Sequence, residues 1–154
     1  MPGSQHGKIP RIVVGVDGSP SSREAIRWAV RQAALTGSSV DAVIAWQYPA
    51  PASGVGLVPI GVIDTADFEE IAAKALADAV SGAADPGSSV SVRQLVVEGN
   101  AAQALLSAAA GADLLVVGCR GHGGFAGALL GSVSQHCVHH APCPVVVIRG
   151  DRHP

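Results

Sequence analysis

Apolar residues recur along this chain in two rhythms that take turns. Ile9 to Asp17 is a short run of mostly β-branched apolar residues closed by Asp17-Gly18-Ser19, which predicts a buried strand ending in a tight turn. The rhythm then becomes helical. Ala25, Ile26, Ala29, Val30 and Ala33 repeat at turn spacing until Gly37, and either Ser19 caps this helix with Pro20 at its first position or Ser21 pairs with Glu24 in a capping box. Ser39 to Trp46 predicts a second buried strand. The Pro/Gly-rich stretch from Tyr48 to Val62 is longer than most connections and is expected to be a flexible lid. From about Asp64 to Ser81, Phe68, Ile71, Ala72, Ala75, Leu76 and Ala79 form an apolar stripe, with Gly82 as its stop. Ser89 to Val97 gives a third strand. Asn100 caps a helix over Ala101 to Ala110 that ends at Gly111, and Asp113 to Gly118 gives a fourth strand. A glycine-rich loop, a further helix and a strand over Pro144 to Arg149 complete the order.

Strand and helix alternating five times with short connections predict an α/β protein: an open, five-stranded parallel sheet with helices on both faces, Rossmann-like, in a single domain. Residues 1–8 are polar and read as a disordered tail before a domain over 9–154. In such sheets a ligand sits beyond the carboxyl ends of the strands, where the strand order reverses. The last strand, Val145 to Ile148, falls at an edge and carries no charge, which predicts pairing with its own copy in a homodimer.

Composition narrows the function classes. Ten Lys plus Arg against twelve Asp plus Glu give a formal charge of −2 with no basic run, which argues against nucleic acid as a partner. Aromatic residues at 3% leave a core of Val, Leu, Ile and Ala. Cys119, Cys137 and Cys143 are odd in number and lack CxxC spacing, and the start has no apolar leader, so reduced thiols and a cytoplasmic location are expected. Ala42 to Ile63 is uncharged, but Pro49, Pro51 and Pro59 break any membrane helix there.

The candidate chemistry lies in Gly118-Cys119-Arg120-Gly121, nine residues, then Gly131-Ser132. After a buried strand and before a helix, Gly118 and Gly121 let the backbone approach a ligand where a Cβ would collide. Gly131 and Ser132 open a helix whose free N–H groups attract phosphate, and Arg120 or His122 adds charge. Better-known motifs fail on inspection. There is no P-loop lysine. Gly121 to Ala126 matches a dinucleotide fingerprint in letters only, and no GxSxG, CxxC or HExxH occurs.

Gly, two residues, Gly, nine residues, Gly-Ser resembles the ATP-binding signature of the universal stress proteins. Val14-Gly15-Val16-Asp17-Gly18-Ser19, Val97-Glu98-Gly99-Asn100 and Pro142-Cys143-Pro144-Val145-Val146-Val147 resemble that family's first turn, third-strand exit and final strand, so the likeness runs from about Ile9 to Arg149. The resemblance implies the adenine nucleotide alpha hydrolase-like variety of the fold, and ATP, with or without Mg2+, as ligand. Val16, Asp17 and the backbone near Gln47 would meet the adenine, Gly118, Arg120 and Gly121 the ribose and first phosphate, and Gly131, Ser132 and Val133 the outer phosphates. Gln47 stands where an aliphatic residue is common in the family, which leaves AMP and cyclic AMP open. The implied role is a nucleotide-dependent stress-response or signalling module with an unknown protein partner.

Two rival readings accompany this one. No base, nucleophile and orienting acid can be read together, so no enzyme is expected beyond a slow ATPase. His136, Cys137, His139, His140 and Cys143 invite a metal reading, since His136 and His140 stand one helical turn apart. Core packing of Val133 and Cys137 explains that helix without one, and no metal residue is assigned from sequence.

Overall fold

The computed structural model describes residues 8–47, 65–83, 87–119 and 130–150. Nine elements follow in chain order: β1 (Arg11–Val16), α1 (Pro20–Thr36), β2 (Ser39–Trp46), α2 (Thr65–Ala83), β3 (Val92–Glu98), α3 (Ala101–Ala108), β4 (Leu114–Gly118), α4 (Ser132–His140) and β5 (Val145–Ile148). The strands form one parallel sheet in the order β3-β2-β1-β4-β5, so the chain winds outward from β1 to β3, crosses back, and winds outward again to β5. The reversal lies between β1 and β4, which pair from Ile12 with Leu114 to Val14 with Val116.

Alternation along each strand splits the core into two layers. Ile12, Val14, Val16, Val40, Ala42 and Ile44 face α1 and α2, where Ala25, Ile26, Ala29 and Leu76 meet them. Val13, Val43, Leu115 and Val117 face the other way and pack with Leu105, Ala109 and Cys137 of the α3–α4 side. At Gly15 a Cβ would stand 2.7 Å from a Leu105 methyl, so the bare backbone lets α3 settle on the sheet.

Local signals in the sequence account for most boundaries. Ser19 caps α1 by accepting from the Ser22 N–H, and Gly37 closes that helix in the left-handed conformation at φ 69°. Asn100 caps α3 through the Gln103 N–H at 3.2 Å. Gly82 does not stop its helix: α2 continues through it to Ala83, because Val80 and Ala83 still pack on the core and this offsets the roughly 1 kcal/mol that glycine costs in a helix. The stripe on α2 is also narrower than its periodicity implies, with Ile71 left 67% exposed. β3 begins at Val92 rather than Ser89, and α3 ends at Ala108. The expected tail, apart from Lys8, and the expected lid fall outside the described residues.

One polar cluster interrupts the apolar layer on the α3 side. Asp41, central in β2 and 3% exposed, accepts from Arg11 Nη1 at 3.0 Å and from Arg93 Nη2 at 2.9 Å. Arg11 also donates to the carbonyls of Ala108 and Ala110, and thereby holds the carboxyl end of α3 at the foot of the sheet.

Candidate functional site

Four segments end or begin at the carboxyl edge of the sheet beside the strand reversal. The first is the β1 exit. Gly18 takes φ 83°, a left-handed conformation that turns the chain from strand into helix, and the Asp17 Oδ1 accepts from the Ser19 N–H at 2.8 Å across that turn. Asp17 is thus a turn residue whose side chain is exposed to solvent, while Val16 behind it is buried. The second segment is the β2 exit, where Gln47 is exposed and the Trp46 carbonyl accepts from the Gly99 N–H at 2.7 Å, tying the ends of β2 and β3 together.

The third segment is the β4 exit, where Gly118 has a packing role beside the ligand contact expected of it. A Cβ at this position would stand 2.5 Å from the Ser21 hydroxyl and 2.9 Å from the Ser21 carbonyl carbon, so Gly118 admits the first turn of α1. The β1–β4 register, continued two residues, sets Val16 beside Gly118 and brings the Asp17 turn level with Cys119.

The fourth segment is the start of α4. Gly131 is its N-cap with φ −70° and ψ 165°, and its N–H donates to the Cys119 carbonyl at 2.7 Å, closing the base of the glycine-rich loop. Ser134 donates from its hydroxyl to the Gly118 carbonyl at 2.7 Å and reaches the Cys119 carbonyl at 3.3 Å. The Cys119 backbone N–H in turn donates to the Ile148 carbonyl at 2.8 Å. These bonds fix the direction of α4 relative to β4. Sequence reasoning does not single out Ser134; its only local signal is a serine in the first turn of a helix, whose hydroxyl can bond a nearby backbone carbonyl.

Helix starts at this site differ in one respect. α1 and α3 satisfy their first N–H groups with their own caps, Ser19 and Asn100. α4 has no side-chain cap, and its first residues, Ser132 exposed and Val133 half-buried, present the positive end of the helix at the carboxyl edge of the sheet. Of the nine residues singled out from sequence, Val16, Asp17, Gln47, Gly118, Gly131, Ser132 and Val133 all lie at this edge. Arg120 and Gly121 lie outside the described residues.

Two of the thiols, Cys137 and Cys143, are disfavoured as thiolates. Burial pushes Cys137 above the ordinary thiol range. Cys143 is raised chiefly by burial and further by the Asp113 charge, against a lowering from Arg11. No group of three or more His, Cys, Asp or Glu side chains placed to hold a metal occurs among the described residues. No described helix is long and apolar enough to cross a membrane.

Comparison with known proteins matches this arrangement to one family. Residues 8–149 match the model described as the Universal stress protein family. The chain is 36% identical over 149 residues to Universal stress protein Rv2005c of Mycobacterium tuberculosis, covering 97% of this chain and 48% of that protein. It is 39% identical over 140 residues to Universal stress protein Rv1996 of the same species, covering 90% and 43%. The chain therefore spans about half the length of the curated relatives it matches. A universal stress protein solved in complex with cAMP superposes with a TM-score of 0.64 at 26% identity, covering 94% of this chain and all of the other.

Proposed function

We propose, from the premise that this chain belongs to the universal stress protein family, that it binds an adenine nucleotide at the carboxyl edge of its sheet and acts as a nucleotide-dependent stress-response or signalling module. The observation that carries this reading is the uncapped start of α4, held at the strand reversal by Ser134 and Gly131. A helix terminus alone is worth about 0.3–1 kcal/mol to an anion, whereas each charge-assisted hydrogen bond adds about 1.5–3 kcal/mol. Binding must then come from several N–H donors acting together, and the N–H groups of Ser132, Val133 and Ser134 are suited to the outer phosphates.

In this proposal the base sits over the ends of β1 and β2, against Val16, Asp17 and the backbone at Gln47. Arg120 and Gly121 belong to the ribose and first phosphate by the family motif. ATP, with or without Mg2+, is the first choice of ligand. The cAMP complex of the related protein supports adenine as the base and makes cyclic AMP the principal competitor, with AMP a third. The role is recognition in the cytoplasm, by a homodimer joined through β5, with at most slow ATP turnover.

Thermal melting and calorimetric titration with ATP, AMP and cyclic AMP, each with and without Mg2+, test the reading. ATP at a hundred times its dissociation constant stabilises the fold by about 2.7 kcal/mol. A melting curve unchanged by all three nucleotides at millimolar concentration defeats it. Multiple-turnover phosphate release in the same samples separates a binding module from an ATPase.

A further inference from the structure

The two sides of α4 carry different chemistry. Ser134 and Cys137 are buried, and Cys137 belongs to the apolar layer with Leu105 and Leu115. His136, half-exposed, and His140, exposed, lie one turn apart, with ring centroids 4.6 Å from each other and planes inclined by 42°. We propose that His136 and His140 form a two-imidazole chelate for a divalent first-row transition ion such as Ni2+, Cu2+ or Zn2+, with water completing the coordination.

The separation carries the proposal. An ion bound at about 2.0–2.1 Å from one nitrogen of each ring lies about 3.2 Å from each ring centroid. Two such rings at a right angle around one ion then have centroids about 4.5 Å apart, and at a tetrahedral angle about 5.2 Å apart. The observed 4.6 Å falls inside that interval. The same distance suits an aromatic contact between the rings, but the surroundings favour a cation. The segment from Ser132 to His140 contains no Lys or Arg to repel it, and the pair lies in the last turns of the helix, where the backbone dipole presents its negative end. Because both imidazoles are mounted on one helix, binding costs little chain ordering, and the bridged turn is stiffened.

His139 is the internal control, since its ring is 6.4 Å from that of His140, beyond the chelating interval. Calorimetric titration of the full, untagged chain with NiCl2 alone, in a non-chelating buffer, tests the site. The unmodified protein and His139→Ala should bind a Ni2+ ion alike, and that binding should be lost in His136→Ala and in His140→Ala. Ni2+ should raise the melting temperature of the first two proteins and leave that of the other two unmoved. Should either alanine variant melt differently from the parent in the absence of Ni2+, the corresponding glutamine variant replaces it. His6, His122 and His153 are common to every variant and cannot produce the difference. Absence of binding in the unmodified protein, retention of it in His136→Ala and His140→Ala, or equal loss in His139→Ala overturns the proposal.

Discussion

Ser21, in the first turn of α1, occupies the space that a side chain at Gly118 would need: its backbone carbonyl carbon is 2.9 Å from where that Cβ would stand. Backbone cannot rotate away as a side-chain tip can, so Gly118→Ala forces α1 and β4 apart. The expected cost is about 1–3 kcal/mol. Gly150→Ala places its Cβ at 3.4 Å from the Ser21 Cβ and should cost much less. Urea denaturation of the two variants checks the contrast, which disappears if both unfold at the same midpoint.

Gly131 caps α4 with a φ of −70° that is open to every residue. Gly131→Val should keep the fold while crowding the start of α4, and nucleotide binding should fall to undetectable levels. Circular dichroism with ATP titration measures both. Full ATP affinity in a folded variant would remove the phosphates from α4.

Asp41 neutralises two guanidinium groups from a buried position. Asp41→Ala strands Arg11 and Arg93, although both partners are exposed enough to recover some hydration. The loss should therefore be about 1–3 kcal/mol, the range for hydrogen bonds to charged groups, rather than the larger figure for a fully buried pair. Equilibrium unfolding is the measurement, and nucleotide affinity should not change, since this cluster is at the foot of the sheet.

Among the described residues β5 is an edge strand, paired with β4 on one side alone. The Pro144 and Ile148 carbonyls accept from Leu115 and Cys119 on β4, so by parallel alternation the N–H of Val147 points outward. Val147→Pro removes that donor without removing a bond to β4, which edge strands tolerate. Sedimentation should find the unmodified chain dimeric at tens of micromolar and the variant monomeric. A monomeric parent refutes pairing through this edge.

Cys137 and Cys143 link stability to alkaline pH. Both thiols are raised in the folded state, chiefly by burial, so between the ordinary thiol value and the raised one the folded chain holds more protons than the unfolded chain. Their stabilising contribution is complete below about pH 8.5 and declines as pH rises above it. Cys137→Ser/Cys143→Ser should flatten the fall of the urea midpoint above about pH 8.5. An identical fall in parent and variant assigns it to other groups.

Alternating apolar rhythms determined the parallel α/β fold, and they do so because strand and helix periods are set by near neighbours in the chain. Ser39–Trp46 was legible to the residue, and the cap Asn100 was legible because a capping side chain binds an N–H only three positions away, whereas the start of α1 was open between a Ser19 cap and a Ser21–Glu24 box and tertiary structure realised the first. Glycine spacing marked the loop and its following helix, and the family likeness was legible in the same motif. Contacts between distant residues were decided by tertiary structure. No local pattern says that the residue above Gly118 is Ser21, that Asp41 lies between Arg11 and Arg93, or that Ser134 ties α4 to the Gly118 carbonyl. Those pairings depend on strand order and on where each crossover lands, and both arise from burying the two faces of one sheet at once. Gly82 shows the same hierarchy in a single residue, since local propensity favours a stop and the packing of Val80 and Ala83 carries the helix past it.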